Sequence, residues 1–306
     1  LKGLPSSDRV GVRPVQRRRP AATPAAMGFA RNPVAVHAAG WAEDQGRRSE
    51  MEDGFVFVDQ FGGRPTSAFF AVYDGHGGRQ VVDFVTAELH QNVLRELRKT
   101  NSIPDALLQA FQLTDEDMVR RNIMQSGCTA CCCLLQEEGH ARVIYTAHLG
   151  DSRAVMSRGG SATRLTSMTD HKATDPLEGK RVIEAGGFIM NDRVNGMLAM
   201  TRALGDHLLK MPILPNDVVS NVPDITSTDL SPQDAFVILA CDGVWDVIND
   251  QQAVELVTES MRELTPIARQ LEAEGRSMAE ILARMLVEEA LARGSNDNIS
   301  CIVIFL

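Results

Sequence analysis

An α+β fold on antiparallel strands is what this sequence predicts, and three features predict it. Apolar runs rich in β-branched and aromatic residues recur along the chain, among them FFAVY at 69–73 and FVILAC at 236–241, and such runs read as buried strands. Two more, 128–135 and 142–147, are joined through a Glu-Glu-Gly turn and read as a hairpin. Helical periodicity appears at 80–97, 103–119, 251–264 and 278–292, with apolar residues on one face of each stretch.

Composition supports a chain that builds its own core. Hydrophobic residues make up 44% of the 306 and charged residues 23%, ordinary values for a globular protein. A net charge of −9 argues against nucleic acid as the main ligand. No apolar run is long enough to span a bilayer, and no signal-peptide pattern opens the chain. The six cysteines lie in or beside apolar runs without paired CxxC spacing. They read as reduced, buried thiols of an intracellular protein, cytoplasmic or nuclear.

In chain order, residues 1–33 carry seven basic residues against one aspartate, with frequent Pro and Ala. They are expected to form a flexible basic tail, and 34–306 the folded domain. A short strand is expected at 34–37 and another at 55–58. The strand 69–73 runs into Asp74 and a glycine-rich turn. Pro104 suits the first turn of the helix at 103–119. The second hairpin strand leads to Asp151, and a further strand spans 153–157. A short helix is expected at 176–185, stopped by Gly186-Gly187. Residues 193–210 mix small and basic types and read as part of a loop-rich flap. The strand 235–241 ends on Asp242, and the chain closes on a strand at 299–306, with no appended C-terminal domain expected.

Three apolar strands therefore end on Asp74, Asp151 and Asp242, and two begin just after Glu52-Asp53 and Asp297. In an antiparallel sheet, strand ends and neighbouring strand starts share an edge, so these carboxylates converge. Clustered carboxylates repel and raise one another's pKa unless a cation sits among them. Oxygen ligands favour Mg²⁺ or Mn²⁺, and the Gly75 carbonyl suits the same ions. Asp74 is the natural bridge between two cations, which together activate a water and neutralise a phosphoryl oxygen. Arg48 beside an acidic edge makes sense if the substrate is a phosphate. His76 is placed to protonate a leaving alkoxide. The bland alternatives are a surface ion pair of Arg48 with Glu50 or Glu52, and a turn histidine bonded to backbone.

The stretches RRSEMEDGF (47–55), FFAVYDGHGG (69–78), GCTACCCLL (127–135), AHLGDSRAV (147–155), RVNGMLAMTRALGD (193–206), FVILACDGVWDV (236–247) and SNDNISCIVI (295–304) resemble the PPM family of metal-dependent protein Ser/Thr phosphatases, type 2C. They occur in the family's order and cover nearly everything from residue 34 onward. The resemblance implies a four-layer α-β-β-α sandwich, two mostly antiparallel sheets flanked by helices. It implies that Asp74 bridges two metals, that Gly75 lends its carbonyl to one, and that Asp242 and Asp297 hold the other. Glu52, Asp53 and Thr129 would support metal-bound waters, Arg48 would grip the phosphate, and His76 would be the general acid. Asp151 and Asp246 match residues that, with Asp242, form a third metal site in some members. His148 stands where Asn is frequent, and Thr201 where Ser is.

The reading is a protein serine/threonine phosphatase. It hydrolyses phosphoserine and phosphothreonine monoesters by direct attack of a water bridging two Mg²⁺ or Mn²⁺ ions. Phosphoproteins are the expected substrates and a monomer the expected state. Two rivals remain on this ground: a pseudophosphatase scaffold, which would be expected to lack some of these carboxylates or the arginine, and a two-metal hydrolase of nucleotides or small phosphates.

Overall fold

The computed structural model describes residues 36–139 and 141–306. The basic tail expected over 1–33 lies outside them.

Strand β1 (Ala38–Asp44) comes later than the strand expected at 34–37. Residues 34 and 35 of that run lie outside the described residues; Val36 packs beside Trp41 on the core between the sheets, and His37 N–H donates to the Phe305 carbonyl (2.9 Å). Next come β2 (Gly54–Asp59), β3 (Ala68–Tyr73) and the two-residue β4 (Gly75–His76). Helices α1 (Gln80–Glu96) and α2 (Ile103–Arg120) follow; Ser102 caps α2, and Pro104 sits in its first turn. The hairpin region comprises β5 (Gly127–Cys128), β6 (Ala130–Glu138) and β7 (Ala141–Leu149). Then come β8 (Arg153–Arg158), β9 (Ser161–Arg164) and α3 (Pro176–Glu184). The flap adds the short strands β10 (Ile189–Met190), β11 (Arg193–Val194) and β12 (Leu204–Gly205). The chain ends with β13 (Asp224–Asp229), β14 (Asp234–Ala240), α4 (Asp242–Trp245), α5 (Asp250–Leu264), α6 (Ala268–Ala273), α7 (Met278–Ala292) and β15 (Ile299–Phe305).

The strands form two five-stranded antiparallel sheets, in the orders β13-β7-β6-β3-β2 and β1-β15-β14-β8-β9. Phe70, Val72, Cys131 and Cys133 of the first sheet pack against Met156, Val237, Leu239 and Ile302 of the second. The outer face of the first, through Phe69, Ala71 and Tyr73, packs on α1 and α2. The outer face of the second, through Phe236, Ile238 and Val303, packs on α5 and α7. This is the expected four-layer α-β-β-α sandwich. With both faces of each sheet covered, the central strands read as unbroken apolar runs rather than alternating ones. Adjacent Phe69 and Phe70 serve different layers because successive side chains point to opposite faces.

β13 escaped the sequence reading. Its residues, DITSTD, pair only with β7 at a sheet edge and stay partly exposed, so no apolar run marks them. The flap has a small core of its own, in which Val182, Val194, Ala203, Leu209 and Val219 meet. β12 pairs with β5, and β5 with β4, which ties the flap to the turn after β3.

Candidate active site

The antiparallel register sets the site. Gly54 pairs with Tyr73, so Asp53 and Asp74 flank the same end of the β2–β3 pair. Ala130 pairs with Leu149, placing Thr129 and Asp151 at that end too. In the second sheet Ala240 pairs with Cys301, which sets Asp242 near Asp297. The indole of Trp245 donates to the Ala240 carbonyl (2.8 Å), folding the short α4 back onto β14 with Asp242 at its start.

Carboxylate oxygens of Asp74, Asp151 and Asp242 lie within 4.8 Å of one another. Loss of solvation, then repulsion from Asp53, Asp242 and Asp151, pushes Asp74 well above the ordinary carboxylate range. Burial, then Asp151, Asp246 and Asp297, pushes Asp242 up to about 7. Asp53 is 1% exposed. Its oxygens meet no hydrogen-bonding group at good geometry, although the Ser300 hydroxyl and Cys241 thiol lie near enough to offset part of the shift. Burial raises it to about 6. Charges this crowded and this poorly compensated are what hard divalent cations neutralise, so the residues present fit such ions.

The remaining candidates surround this cluster. Gly75 lies under the 50–53 loop, and a Cβ there would stand 2.3 Å from the Glu52 carbonyl, so only glycine allows the approach. The Glu52 carboxylate accepts from Gly78 N–H (2.5 Å), and Thr129 N–H donates to the Asp74 carbonyl (2.8 Å). Arg48 is exposed at the mouth and pairs with Asp297 at 2.6 Å, not with Glu50 or Glu52. Asp246 sits one turn after Asp242, with its side chain 58% exposed.

His76 is no backbone-bonded turn histidine. Its Nε2 lies 2.8 Å from Oδ2 and 3.0 Å from Oδ1 of Asp206. Desolvation would lower its pKa, but the Asp206 hydrogen bond and charge outweigh this and raise it. Gly127 makes room for the pair, since a Cβ there would meet Asp206 Oδ2 at 2.1 Å and His76 Nε2 at 2.6 Å. Asp206 adopts a left-handed backbone (φ 51°), unusual outside glycine.

Three neighbours were not singled out from the sequence. Asp206 follows a flap segment with no apolar run, so it escaped the strand-end pattern. Asn298 staples the 45–52 loop. Its side chain accepts from Glu52 N–H (2.8 Å) and donates to the carbonyls of Gln45 (2.8 Å) and Glu50 (2.9 Å). Its signal was adjacency to Asp297. Lys172 reaches Asp151 and Asp246 from the segment before α3.

A second group, His148, His171 and Asp224, also brings nitrogen and oxygen atoms within 4.8 Å. Its hydrogen bonding argues against a metal. His171 Nδ1 accepts from Gly150 N–H (3.1 Å), so Nε2 carries the proton and donates it to Asp224 (3.1 Å). Arg202 pairs with the other oxygen of Asp224 (2.8 Å). Burial, then His171, holds His148 neutral, at about 3. The group is a strut between β7 and the flap.

Groups that attract cations beside a group that attracts an anion suit proteins that process phosphate esters with divalent metals. The protein phosphatase 2C sequence profile matches residues 38–299. "Protein phosphatase 2C homolog 1" of Saccharomyces cerevisiae is 40% identical over 276 residues, covering 85% of this chain and 89% of the relative. The Schizosaccharomyces pombe protein of the same name is 40% identical over 281 residues, covering 88% and 73%. The crystal structure of serine-threonine phosphatase 2C from Toxoplasma gondii aligns with a TM-score of 0.67 at 25% identity, covering 90% of this chain and 98% of that one. The chain belongs to the protein phosphatase 2C family, whose members depend on metal, and is a protein serine/threonine phosphatase.

Proposed function

We propose that residues 34–306 form one catalytic domain in which Asp74, the Gly75 carbonyl, Asp242 and Asp297 hold two divalent cations, Mg²⁺ or Mn²⁺. The observation that carries this is the buried, mutually repelling carboxylate cluster at one sheet edge, with Arg48 at its mouth. When bound, the cations supply an acidified water and neutralise charge on the phosphoryl group.

The side chains do the rest. The Arg48 guanidinium exchanges Asp297 for substrate and orients the phosphate through paired N–H donors. Glu52, Asp53 and Thr129 hold the water shell of the site. Asp206 fixes the ring of His76, which delivers a proton to the departing serine or threonine oxygen as the ester bond breaks. A free alkoxide is a poor leaving group, so this proton matters most for natural substrates.

Among the described residues no helix is long and apolar enough to cross a membrane. All six cysteines are free and buried, which supports an intracellular setting, cytoplasmic or nuclear. We take the working unit to be a monomer acting on phosphoproteins.

The test is hydrolysis of a phosphoserine peptide with Mg²⁺ or Mn²⁺ and with excess EDTA. Activity is expected only with metal, and full activity in EDTA overturns the assignment. Faster turnover of nucleotides than of phosphopeptides would point to a small-phosphate hydrolase instead.

A further inference from the structure

Asp151 and Asp246 match the residues of a third metal site, yet between them stands a positive charge of the chain's own. Lys172 Nζ lies 3.0 Å from Asp151 Oδ2 and 3.6 Å from Asp246 Oδ1. Asp151 is buried, at 2% exposure, while the lysine side chain is 31% exposed. The main chain delivers the ammonium. His171 N–H donates to the Gly150 carbonyl (2.9 Å), which pins the neighbouring residue against the loop that carries Asp151. On the other side, Lys172 forms a β-bridge with Met200, and Ala173 N–H donates to the Ala199 carbonyl (2.8 Å).

We propose that Lys172 is a tethered cation occupying this third position, so that a third divalent ion binds only after displacing it. This rests on the two-cation reading above. The ammonium opposes a further cation at the same carboxylates by charge: two positive charges within about 4 Å repel strongly even at surface-like screening. Coulomb attraction to Asp242 as well as to Asp151 and Asp246 holds the ammonium in place. The side chain is partly exposed, which gives it room to swing towards solvent while the backbone anchors stay put. The third site is therefore weak by construction. Its occupancy depends on a side chain whose main chain is hydrogen-bonded to the flap, so cation binding there and flap position are mechanically joined.

Counting bound metal tests this without relying on turnover. Equilibrium dialysis of the full chain against Mn²⁺, with free ion read by electron paramagnetic resonance, should give two tight sites in the parent. In Lys172→Met a third site should appear with affinity stronger than the parent's by on the order of tenfold or more. Adding Asp246→Asn to Lys172→Met should remove it. Lys172→Arg, which keeps the charge, should behave as the parent. Lys172→Gln repeats the measurement should the apolar variant fold poorly. Equal third-site affinity in the parent and in the Met and Gln variants overturns the proposal, as does a parent that takes up three ions alike. A parent that binds fewer than two overturns the two-cation reading instead.

Discussion

His76 and Asp206, separated by 130 positions, meet at 2.8 Å between Nε2 and Oδ2. The contact joins the turn after β3 to the end of β12, in a cleft that Gly127 leaves open. Its consequence is leaving-group dependent. His76→Ala and Asp206→Asn should each lower kcat for a phosphoserine peptide by on the order of tenfold to a thousandfold. Hydrolysis of p-nitrophenyl phosphate, whose leaving group needs no proton, should fall far less. The double variant should cost little more than His76→Ala alone, since both act through one ring. Equal losses on the two substrates would remove the pair from proton delivery.

Gly127→Ala should reproduce that pattern from outside the pair. The added Cβ collides with Asp206 Oδ2 and His76 Nε2, so the side chains must separate. Mn²⁺ binding should be retained while phosphoserine turnover drops by on the order of tenfold or more. Loss of metal binding in this variant would show that the clash spreads into the carboxylate cluster.

The carboxylates should trade stability for function. Asp74→Asn and Asp242→Asn should abolish metal-dependent hydrolysis. In EDTA the same variants should melt a few degrees above the parent, because each removes a charge repelled by its neighbours. Scanning calorimetry in EDTA and in Mn²⁺ checks both halves: the parent should gain melting temperature with Mn²⁺, and the variants should gain little. A parent that melts higher than both variants in EDTA would contradict the repulsion.

Acid should loosen the flap first. Burial would raise Glu178, but the Arg202 and Thr201 hydrogen bonds and the charges of Arg202 and Arg181 hold it at about 2. The His171 hydrogen bond is the first cause that depresses Asp224, with Arg202 adding to it. A depressed carboxylate stabilises the fold at pH above its ordinary value near 4.5, and this is lost as pH falls through the folded value. Between about pH 4.5 and 2 the flap should lose on the order of 2 kcal/mol, with solvent screening of the partly open network allowed for. Pepsin cleavage within 170–222 should therefore accelerate before global unfolding seen by circular dichroism. Glu178→Gln should show the faster cleavage already at the upper end of that range.

Much of this was legible in the chain. Phe69–Tyr73 and Phe236–Cys241 had to be central strands, because only strands covered on both faces take unbroken apolar runs. α7 begins and ends where its periodicity does, at Met278 and Ala292. β13 and the bounds of β1 were not legible: an edge strand needs few apolar residues, and β1 spans Ala38–Asp44, where small and polar residues mix with Trp41.

The layer order came from the family resemblance. Legible in the chain alone were its strands and helices and the inventory of the site: five strand junctions with carboxylates, an arginine before Glu52-Asp53, and a histidine after Asp74. Those are local properties, set by periodicity and by which residue follows a strand. Which side chains face one another emerged from the folded chain. Arg48 pairs with Asp297, His76 with Asp206, and Lys172 with Asp151 and Asp246. The reason is physical: strand register and sheet stacking bring together residues far apart in sequence, and no local pattern encodes which distant charge fills the remaining space.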